Sequence, residues 1–361
     1  MNFDALTFLW PLLSFAAVVV AIPFAAKIAR RAGLVDHPGG RKQHDGAIPL
    51  IGGLVIIPVF FSVGVFSGLM SASEYGALMI GAALLLLTGL YDDRYQINPK
   101  LKFAVQIIAA IIIMQFGGAR IVTLGDLFGL GEIELYYMEE IFTVFCIVLL
   151  VNAVNLMDGL DGLAGGKCAI MFGGLLVACA AAGAWSLVLL LAVLIAAICG
   201  FLVYNMRHPW RAKASIFMGD AGALALGLIL AWFTIHLAQD GGVSSEAAII
   251  APISAAWIIG LCVMDAVAQF IRRILNGQHP FYADRGHFHH HIVDAGISPA
   301  RASMIVFAVT AMFAFIGILP LYWALPLPVL SVLWLGALMF HIVFSVKENA
   351  YKGFFAALIN K

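Results

Sequence analysis

Charged residues are scarce in this sequence. Asp, Glu, Lys and Arg make up 11% of the 361 residues, whereas soluble globular chains contain roughly 25%. Together with a hydrophobic fraction of 63%, this shortage excludes an ordinary soluble domain. Lys plus Arg and Asp plus Glu both number 20, so the net charge alone indicates no partner.

Cysteine is also scarce, and no two cysteines form a CxxC pair. The five cysteines all lie in apolar stretches, which is typical of small buried hydrophobic residues and not of disulfides or metal ligands. The N-terminus lacks the basic start and the small-residue cleavage site of a signal peptide. We therefore expect Phe8 to Ala26 to remain as a first membrane span.

Long apolar runs, in contrast, are abundant. Their lengths of about 17 to 25 residues suit membrane helices and are twice what a barrel strand needs, and lipid offers no partner for bare backbone. We predict an all-α, polytopic transmembrane helix bundle that forms a single domain over residues 1–361. About eleven spans are predicted, at 4–26, 47–70, 75–91, 102–118, 139–156, 164–182, 185–205, 215–237, 247–270, 302–319 and 323–345.

The lysines and arginines are distributed unevenly about these spans. With eleven spans, all but one of the 20 fall on one side, and Arg120 falls alone on the other. Because Lys and Arg mark cytoplasmic loops, we expect the N-terminus outside and the C-terminus inside. The loops expected to carry the active site on the cytoplasmic face are 27–46, 92–102, 152–167, 206–220 and 271–301.

Carboxylates cluster at the cytoplasmic ends of the predicted spans, where such groups are costly and usually functional. Asp92 and Asp93 close the third span. Adjacent helical residues point about 100° apart, so we expect the two side chains to do different work. The alternative is a solvated helix end.

Four polar residues recur at every third position in the run NAVNLMDGLDGLAGG: Asn152, Asn155, Asp158 and Asp161. On a helix this spacing predicts one polar stripe. The glycines of the same run would let a ligand approach the backbone, and close helix packing is the alternative for them.

Two single aspartates are further candidates. Asp220 lies at the start of the eighth span, where it would serve either as a metal ligand or as a helix N-cap. Asp265 lies near the end of the ninth span, and pairing with Arg272 or another residue of the bundle is the simplest interpretation.

The loop after the ninth span is rich in cationic groups and histidine: Arg272, Arg273, His279, Arg285, His287, His289, His290 and His291. The histidines suggest zinc by composition, but the nearby carboxylates favour a hard cation such as magnesium. The loop 27–46 adds Arg41, Lys42 and His44, either as a phosphate-binding patch or as an ordinary basic anchor.

Carboxylates and cations gathered on one membrane face suit phosphoryl chemistry. Metal held by carboxylates bridges a diphosphate, and Arg, Lys and His neutralise the transferring group. A lipid-linked precursor transporter is the alternative class. Transporters place ionisable residues near mid-span in repeated halves, and this sequence has no visible repeat.

Five segments carry a resemblance to a known family: GLVDHPGGRKQHDGAIPLIGG, LYDDRYQINPKLK, NAVNLMDGLDGLAGG, FMGDAG and DRGHFHHHI with the preceding Arg272-Arg273. In this order they resemble the polyprenyl-phosphate N-acetylhexosamine-1-phosphate transferases. The run HFHHHIVDAGIS is closer to the WecA and TagO branch than to the related MraY branch.

The resemblance implies transfer of GlcNAc-1-phosphate from UDP-GlcNAc to undecaprenyl phosphate, which initiates synthesis of a cell-surface polysaccharide. A 6-deoxy sugar donor and UDP-MurNAc-pentapeptide are the alternatives. The implied cofactor is Mg²⁺, with Mn²⁺ as a substitute, and the implied place is the bacterial inner membrane. Membrane lipids are expected around the protein, nucleic acid is not an expected partner, and a homodimer is an alternative to a monomer.

The resemblance also implies roles for individual residues. Asp220, with Asp93, is the implied metal site. The implied catalytic residues are Asp92, Asp93, Asp161 and His287. The implied substrate-binding residues are Arg41, His44, Lys100, Asn155, Asp158, Arg272, Arg273, His289 and His290.

Overall fold

The computed structural model describes residues 5–37, 46–208, 211–239, 248–279, 284–347 and 350–359. Helices dominate it, and one two-stranded antiparallel pair, β1 (Val35–Asp36) with β2 (Ile48–Pro49), is present. The helices are α1 (Leu9–Ala32), α2 (Gly52–Phe66), α3 (Ala72–Tyr95), α4 (Pro99–Phe116), α5 (Glu139–Leu156), α6 (Leu163–Ala181), α7 (Trp185–Asn205), α8 (Gly219–Ala238), α9 (Pro252–Ile258), α10 (Gly260–Leu275), α11 (Phe288–Asp294), α12 (Pro299–Ile318), α13 (Leu327–Val346) and α14 (Ala350–Ile359).

The predicted all-α transmembrane bundle is confirmed. Within the described ranges, nine helices are long and apolar enough to cross a membrane, or ten if α9 and α10 count as one bent span. The remaining predicted span, 47–70, contains α2, which has 15 residues. At 1.5 Å per residue such a helix is shorter than the roughly 30 Å hydrocarbon core, so the count of eleven stays a prediction, as does the orientation.

Helix α8 is the centre of the bundle. Every residue of its apolar window is buried, and it packs against α3, α5 and α2. Glycines permit this close approach. A Cβ atom on Gly53 would lie 2.2 Å from the Gly222 Cα, and one on Gly89 would lie 2.3 Å from the Ala221 backbone nitrogen. The first residues of α8 are thereby held against the end of α3.

The predicted span 247–270 is broken. Helices α9 and α10 meet at Ile259 with a bend of 77°. The two sides of α10 differ, because Met264, Asp265 and Gln269 are buried while Ile274 and Leu275 are exposed. The bend places Asp265 against α11 and α13, instead of leaving it along a straight span.

Candidate active site

A lysine lies between two carboxylates at the ends of α3 and α8. The Lys102 Nζ donates to Asp92 Oδ2 at 2.7 Å and also to Asp220 Oδ2. The second Asp92 oxygen accepts the Ile97 backbone N–H at 2.9 Å. One ammonium group thus joins two aspartates that are 128 positions apart along the chain, and the side chains of all three residues remain partly accessible.

The phase of α4 explains why Lys102 makes these contacts. The buried residues Gln106, Ala109, Ala110 and Ile113 form the inner face of α4, and Lys102 extends that face by one turn. Lys100, which the family resemblance implies as a phosphate contact, is exposed in the first turn of the helix. Its backbone N–H is capped by the Asn98 side chain. The structure therefore brings a different lysine into the acid cluster.

Asp220 does not act as the N-cap of α8. Its Oδ1 accepts a hydrogen bond from Asn155 Nδ2 at 2.8 Å, in addition to the contact with Lys102. The free N–H groups of α8 are satisfied by Asp93, whose oxygens accept from the Asp220 and Ala221 backbones at 2.9 and 3.2 Å. Asp93 thus bonds the helix terminus, which differs from the metal-ligand role that the resemblance implies.

The predicted polar stripe is only half helical. Asn152 and Asn155 lie on α5, but α5 ends at Leu156, so Asp158 and Asp161 belong to the following turn. Asp158 is exposed there. Asp161 accepts from Arg207 Nε at 2.8 Å and from the Ala214 N–H at 3.2 Å. The expectation of one continuous helical face was wrong, because the turn around Gly162, which has φ +78°, ends the periodicity.

This turn also meets the histidine segment. A Cβ atom on Gly159 would lie 2.3 Å from His289 Nε2, and one on Gly166 would lie 2.3 Å from the Phe307 ring. These glycines therefore make room for side chains of the same protein, as close packing predicts. Gly159 thus brings the aspartate turn against the histidine motif, and the region around these two segments is termed the recess.

His287 is oriented by a buried network. Its Nδ1 contacts Asp265 Oδ2 at 2.9 Å, and the Phe288 N–H donates to Asp265 Oδ1 at 3.0 Å. His341 Nε2 approaches the same carboxylate at 3.4 Å, and His341 Nδ1 contacts the Tyr351 hydroxyl at 2.6 Å. The partner of Asp265 is therefore the histidine motif and not Arg272. The hydrogen bond between Asp265 and Nδ1 fixes the orientation of the His287 ring and leaves Nε2 as the nitrogen available to a ligand.

Two further histidines of the motif, His289 and His290, are neutral near pH 7. Burial, followed by the charges of neighbouring groups, lowers the pKa of His289 well below its usual value and that of His290 to about 4. His289 Nε2 and His290 Nδ1 are buried without a hydrogen-bond partner in the described chain. An anion in the recess would supply that partner and favour the protonated rings.

The arginine pair is held by Asp284. Arg272 Nη2 and Arg273 Nη2 contact its two oxygens at 2.5 and 3.1 Å. Burial disfavours the charged carboxylate, but the hydrogen bonds and charges of the arginines hold the pKa of Asp284 below its usual value. Arg273 is only 1% exposed. The two arginines thus anchor the loop after α10, whereas the resemblance implies that they contact the sugar diphosphate.

Two implied residues, Arg41 and His44, lie outside the described residues, as does the neighbouring Lys42. A residue that the sequence did not single out is Lys167, on α6. It is 3% exposed, and its charge acts on His289. No acceptor for its ammonium group is found in the described ranges. Its position four residues after Leu163, inside a helix of small residues, was the available signal.

The donor set fits a hard divalent cation. Two carboxylates, from Asp92 and Asp220, face one positive charge, and the Lys102 ammonium holds that position in this structure. The described ranges contain no group of three or more His, Cys, Asp or Glu side chains arranged for a metal. Mg²⁺ commonly binds through one or two carboxylates together with substrate phosphates and water, so two carboxylates suffice.

Comparison with known proteins identifies the family. The profile described as glycosyl transferase family 4 matches residues 75–238, which include Asp92, Lys102 and Asp220. The chain belongs to glycosyl transferase family 4. A protein from Escherichia coli strain K12 called undecaprenyl-phosphate alpha-N-acetylglucosaminyl 1-phosphate transferase is 34% identical to it over 301 residues, covering 83% of this chain and 80% of the relative.

Proteins of the same name from other bacteria are equally similar. The one from Haemophilus influenzae is 36% identical over 308 residues, or 85% of this chain and 83% of its own length. The one from Salmonella typhi is 33% identical over 319 residues, or 87% of this chain and 84% of its own length. This family 4 chain is therefore a membrane-embedded enzyme of the sugar-1-phosphate transferase type.

Proposed function

We propose that this enzyme transfers GlcNAc-1-phosphate from UDP-GlcNAc to undecaprenyl phosphate and releases UMP. The observation that carries the proposal is the chain of contacts that joins Asp92, Lys102, Asp220 and Asn155, together with the packing of Gly159, four residues after Asn155, against His289. The names of the relatives supply the donor and the acceptor. The recess is proposed to lie at the cytoplasmic face of a bacterial inner membrane.

The proposed reaction is a direct displacement. An oxygen of the acceptor phosphate forms a bond to the β-phosphorus of the donor. The bond from that phosphorus to the bridging oxygen breaks, and UMP leaves with the electron pair. A phosphate monoester is a competent nucleophile near neutral pH, so Asp92 is needed only to accept a residual proton.

The chain's own residues provide much of the positive field. Lys102 is proposed to contact phosphate oxygens, and Lys167, His289 and His290 are proposed as further donors. Such preorganised donors are worth most where charge develops in the transition state. We propose that His287, which Asp265 orients through Nδ1, contacts the same phosphates through its other ring nitrogen.

A divalent metal completes the site. Family members generally depend on one, and Asp220 and Asp92 are the residues that would hold it. When bound, Mg²⁺ would neutralise charge on the diphosphate and orient it. We propose Asp93 as a positioning residue, because both of its oxygens already bond the first N–H groups of α8.

A covalent route through an aspartate is the alternative mechanism. Asp92 is poorly placed for it, because one oxygen accepts from Ile97 and the other from Lys102. Purified enzyme incubated with labelled donor alone should therefore carry no phospho-sugar. A labelled adduct on the protein would overturn the direct displacement.

Asp220→Asn tests the proposed metal site. The variant should fold and insert normally, because the N–H groups of α8 are capped by Asp93 and not by Asp220. UMP release that requires both substrates should fall by at least about a hundredfold, the loss typical when one electrostatic contact to the transition state is removed. Asp126→Asn, in the loop 119–138, is the matched control. Near-normal turnover of Asp220→Asn at saturating Mg²⁺ would contradict the assignment.

Wild-type enzyme should release UMP from UDP-GlcNAc and not from UDP-MurNAc-pentapeptide. The same assay with a UDP 6-deoxy sugar separates the remaining donor alternative, because a site that hydrogen-bonds a hydroxyl strongly rejects an analogue lacking it. Comparable turnover of the pentapeptide donor would refute the proposed donor.

A further inference from the structure

A second polar pocket lies beside α11, where α10, α13 and α14 meet. Its volume is about 630 Å³, and its lining includes Arg272, Arg285, His291, Ser345 and Lys352. In the described chain, the lining contains no residue of the Asp92–Lys102–Asp220 cluster and none of the three histidines that were implied as substrate contacts. Among the residues that the resemblance implies as site residues, the lining shares Arg272, which is bonded to Asp284. The pocket is otherwise distinct from the candidate active site.

The charge of this pocket suits an anion. Four cationic side chains line it, against the single carboxylate of Asp294. Asp294 is paired with Arg285 at 3.1 Å, and Arg272 is paired with Asp284. Within the described ranges, neither Lys347 nor Lys352 has a carboxylate at ion-pair distance. Two lysines are therefore available to a ligand.

Two buried polar atoms at the pocket are also without a partner. Ser345 is 3% exposed, and its hydroxyl makes no hydrogen bond to the described chain. His291 Nε2 is likewise buried and unbonded. Such groups cost free energy unless something satisfies them. A hydroxyl and a ring nitrogen can both donate to an anionic oxygen.

The place of the pocket in the fold points to the source of that anion. Ser345 and Val346 are the last residues of α13, which is long and apolar enough to span a membrane. Helix α14 follows, with Tyr351 buried against α11, while Phe354 on the same helix is 51% exposed. An apolar exposed side chain beside a lysine is typical of a helix at the membrane interface. Basic pockets at the cytoplasmic ends of spans recognise acidic headgroups.

We propose that this pocket binds the phosphate group of an anionic phospholipid headgroup. Lys347 and Lys352 provide the charge, and Ser345 and His291 provide hydrogen bonds. The proposal is independent of the reaction catalysed in the recess, because none of its four residues belongs to the proposed catalytic machinery.

An occupied pocket would also hold α14 in place. Tyr351 precedes Lys352 on this helix, and its hydroxyl contacts His341, which approaches Asp265. Asp265 in turn orients His287. The ligand would therefore stabilise a helix that contributes to the position of an active-site histidine.

Binding of lipid to the purified full-length protein in detergent tests the proposal. The probes are short-chain phosphatidylglycerol and phosphatidylcholine of equal chain length, and inorganic phosphate and UDP serve as competitors. Phosphatidylglycerol should bind saturably and phosphatidylcholine should not. The double variant Lys347→Gln with Lys352→Gln should weaken binding by about ten- to thirtyfold, as expected for two lysines at a headgroup. Lys27→Gln, which removes an exposed lysine near the end of α1, should leave it unchanged.

A gain of affinity provides a test that misfolding cannot imitate. Asp294→Asn removes the only carboxylate found among the lining residues and releases Arg285, so it should tighten phosphatidylglycerol binding by several-fold. Equal binding of both lipids, or an unaltered affinity in the double lysine variant, would overturn the proposal. Displacement of the lipid by UDP would assign the pocket to the donor. Displacement by millimolar inorganic phosphate would make it a site for free phosphate, and either result would equally overturn the lipid assignment.

Discussion

Replacement of Lys102 by glutamine should separate catalysis from metal binding. In the structure its ammonium group bridges Asp92 and Asp220, and Lys100, two positions earlier, is exposed and outside the cluster. Lys102→Gln and Lys100→Gln therefore form a matched pair. They remove the same charge from the same helix, at positions about 200° apart around its axis.

The expected magnitudes follow from these contacts. Loss of a preorganised donor to the transferring group costs about 10²- to 10³-fold in rate, so kcat/KM of Lys102→Gln should fall by that factor. Lys100→Gln should stay within about threefold of wild type, since an exposed charge contributes little. UMP release from detergent-purified protein, at saturating acceptor and varied donor, gives both values.

Metal binding should change in the opposite direction. Without Lys102, two adjacent carboxylates lose the positive charge that joins them, at a cost of about 1.5–3 kcal/mol for each charged hydrogen bond. Mg²⁺ can replace that charge. Without substrates, Lys102→Gln should therefore bind Mg²⁺ more tightly than wild type and gain more thermal stability from it.

Three outcomes would refute this reasoning. Retention of more than a third of wild-type activity by Lys102→Gln would mean that its ammonium does not act on the reacting phosphates. An equal loss in Lys100→Gln would restore the role that the family resemblance implies for that residue. A melting temperature of Lys102→Gln that does not respond to Mg²⁺ would separate Asp92 and Asp220 from the metal.

Three further measurements test the recess and the topology. Because burial lowers the pKa of His290 to about 4 and that of His289 well below its usual value, both rings are neutral at pH 7, and a bound anion should raise their pKa. UDP binding should therefore take up protons and tighten as the pH falls from 8 to 6. Calorimetry in two buffers of different ionisation enthalpy would show the uptake, and identical heats would contradict it. Lys167→Met should raise the melting temperature, since a buried unpaired charge is costly, and should lower kcat/KM about tenfold. A fall in both the melting temperature and kcat/KM would indicate a structural role only. In a Cys199→Ala background, Leu130→Cys should react with an impermeant thiol reagent on intact cells and Asn276→Cys only after permeabilisation, and the reverse pattern would invert the predicted orientation.

The helical bundle was predictable because lipid leaves few choices. Runs of apolar residues must be helical to satisfy their backbone, and a helix is found within each of the eleven predicted segments. The interruption at Ile259 was not predictable from hydropathy, since Pro252–Ile258 and Gly260–Leu275 read as one apolar run. The bend depends on the residues against which α10 packs, and the amino-acid composition of the segment does not reveal those contacts.

The spacing of polar residues identified the right segments but not their geometry. Asn152, Asn155, Asp158 and Asp161 keep a helical period, although the helix ends at Leu156. Asn152 consequently bonds Gln106, and Asp161 bonds Arg207. Period alone cannot locate a helix end: α5 ends with Met157 as its C-cap, and Gly162, at positive φ, is the residue before α6 begins.

The choice between Lys100 and Lys102 shows what helix phase could have added. A motif such as NPKLK places both lysines near a phosphate, but Asn98 caps the helix and Pro99 starts it, which fixes the register. Gln106 is a polar residue in the apolar middle of α4, one turn after Lys102. That pair would have favoured Lys102, because residues four apart share a face.

Asp92 and Asp93 are adjacent in the sequence but have different roles. They were expected to face apart by about 100°, and their contacts agree: Asp92 bonds Lys102, while Asp93 bonds the first N–H groups of α8. Asp93 thereby fixes the helix that carries Asp220 to the helix that carries Asp92. Asp93 therefore sets the distance between Asp92 and Asp220, the two carboxylates on either side of Lys102. A small shift of α8 would change that distance. Gly89 on α3 packs directly against the backbone of Ala221 on α8. A larger side chain at position 89 would push the two helices apart and so separate the carboxylates.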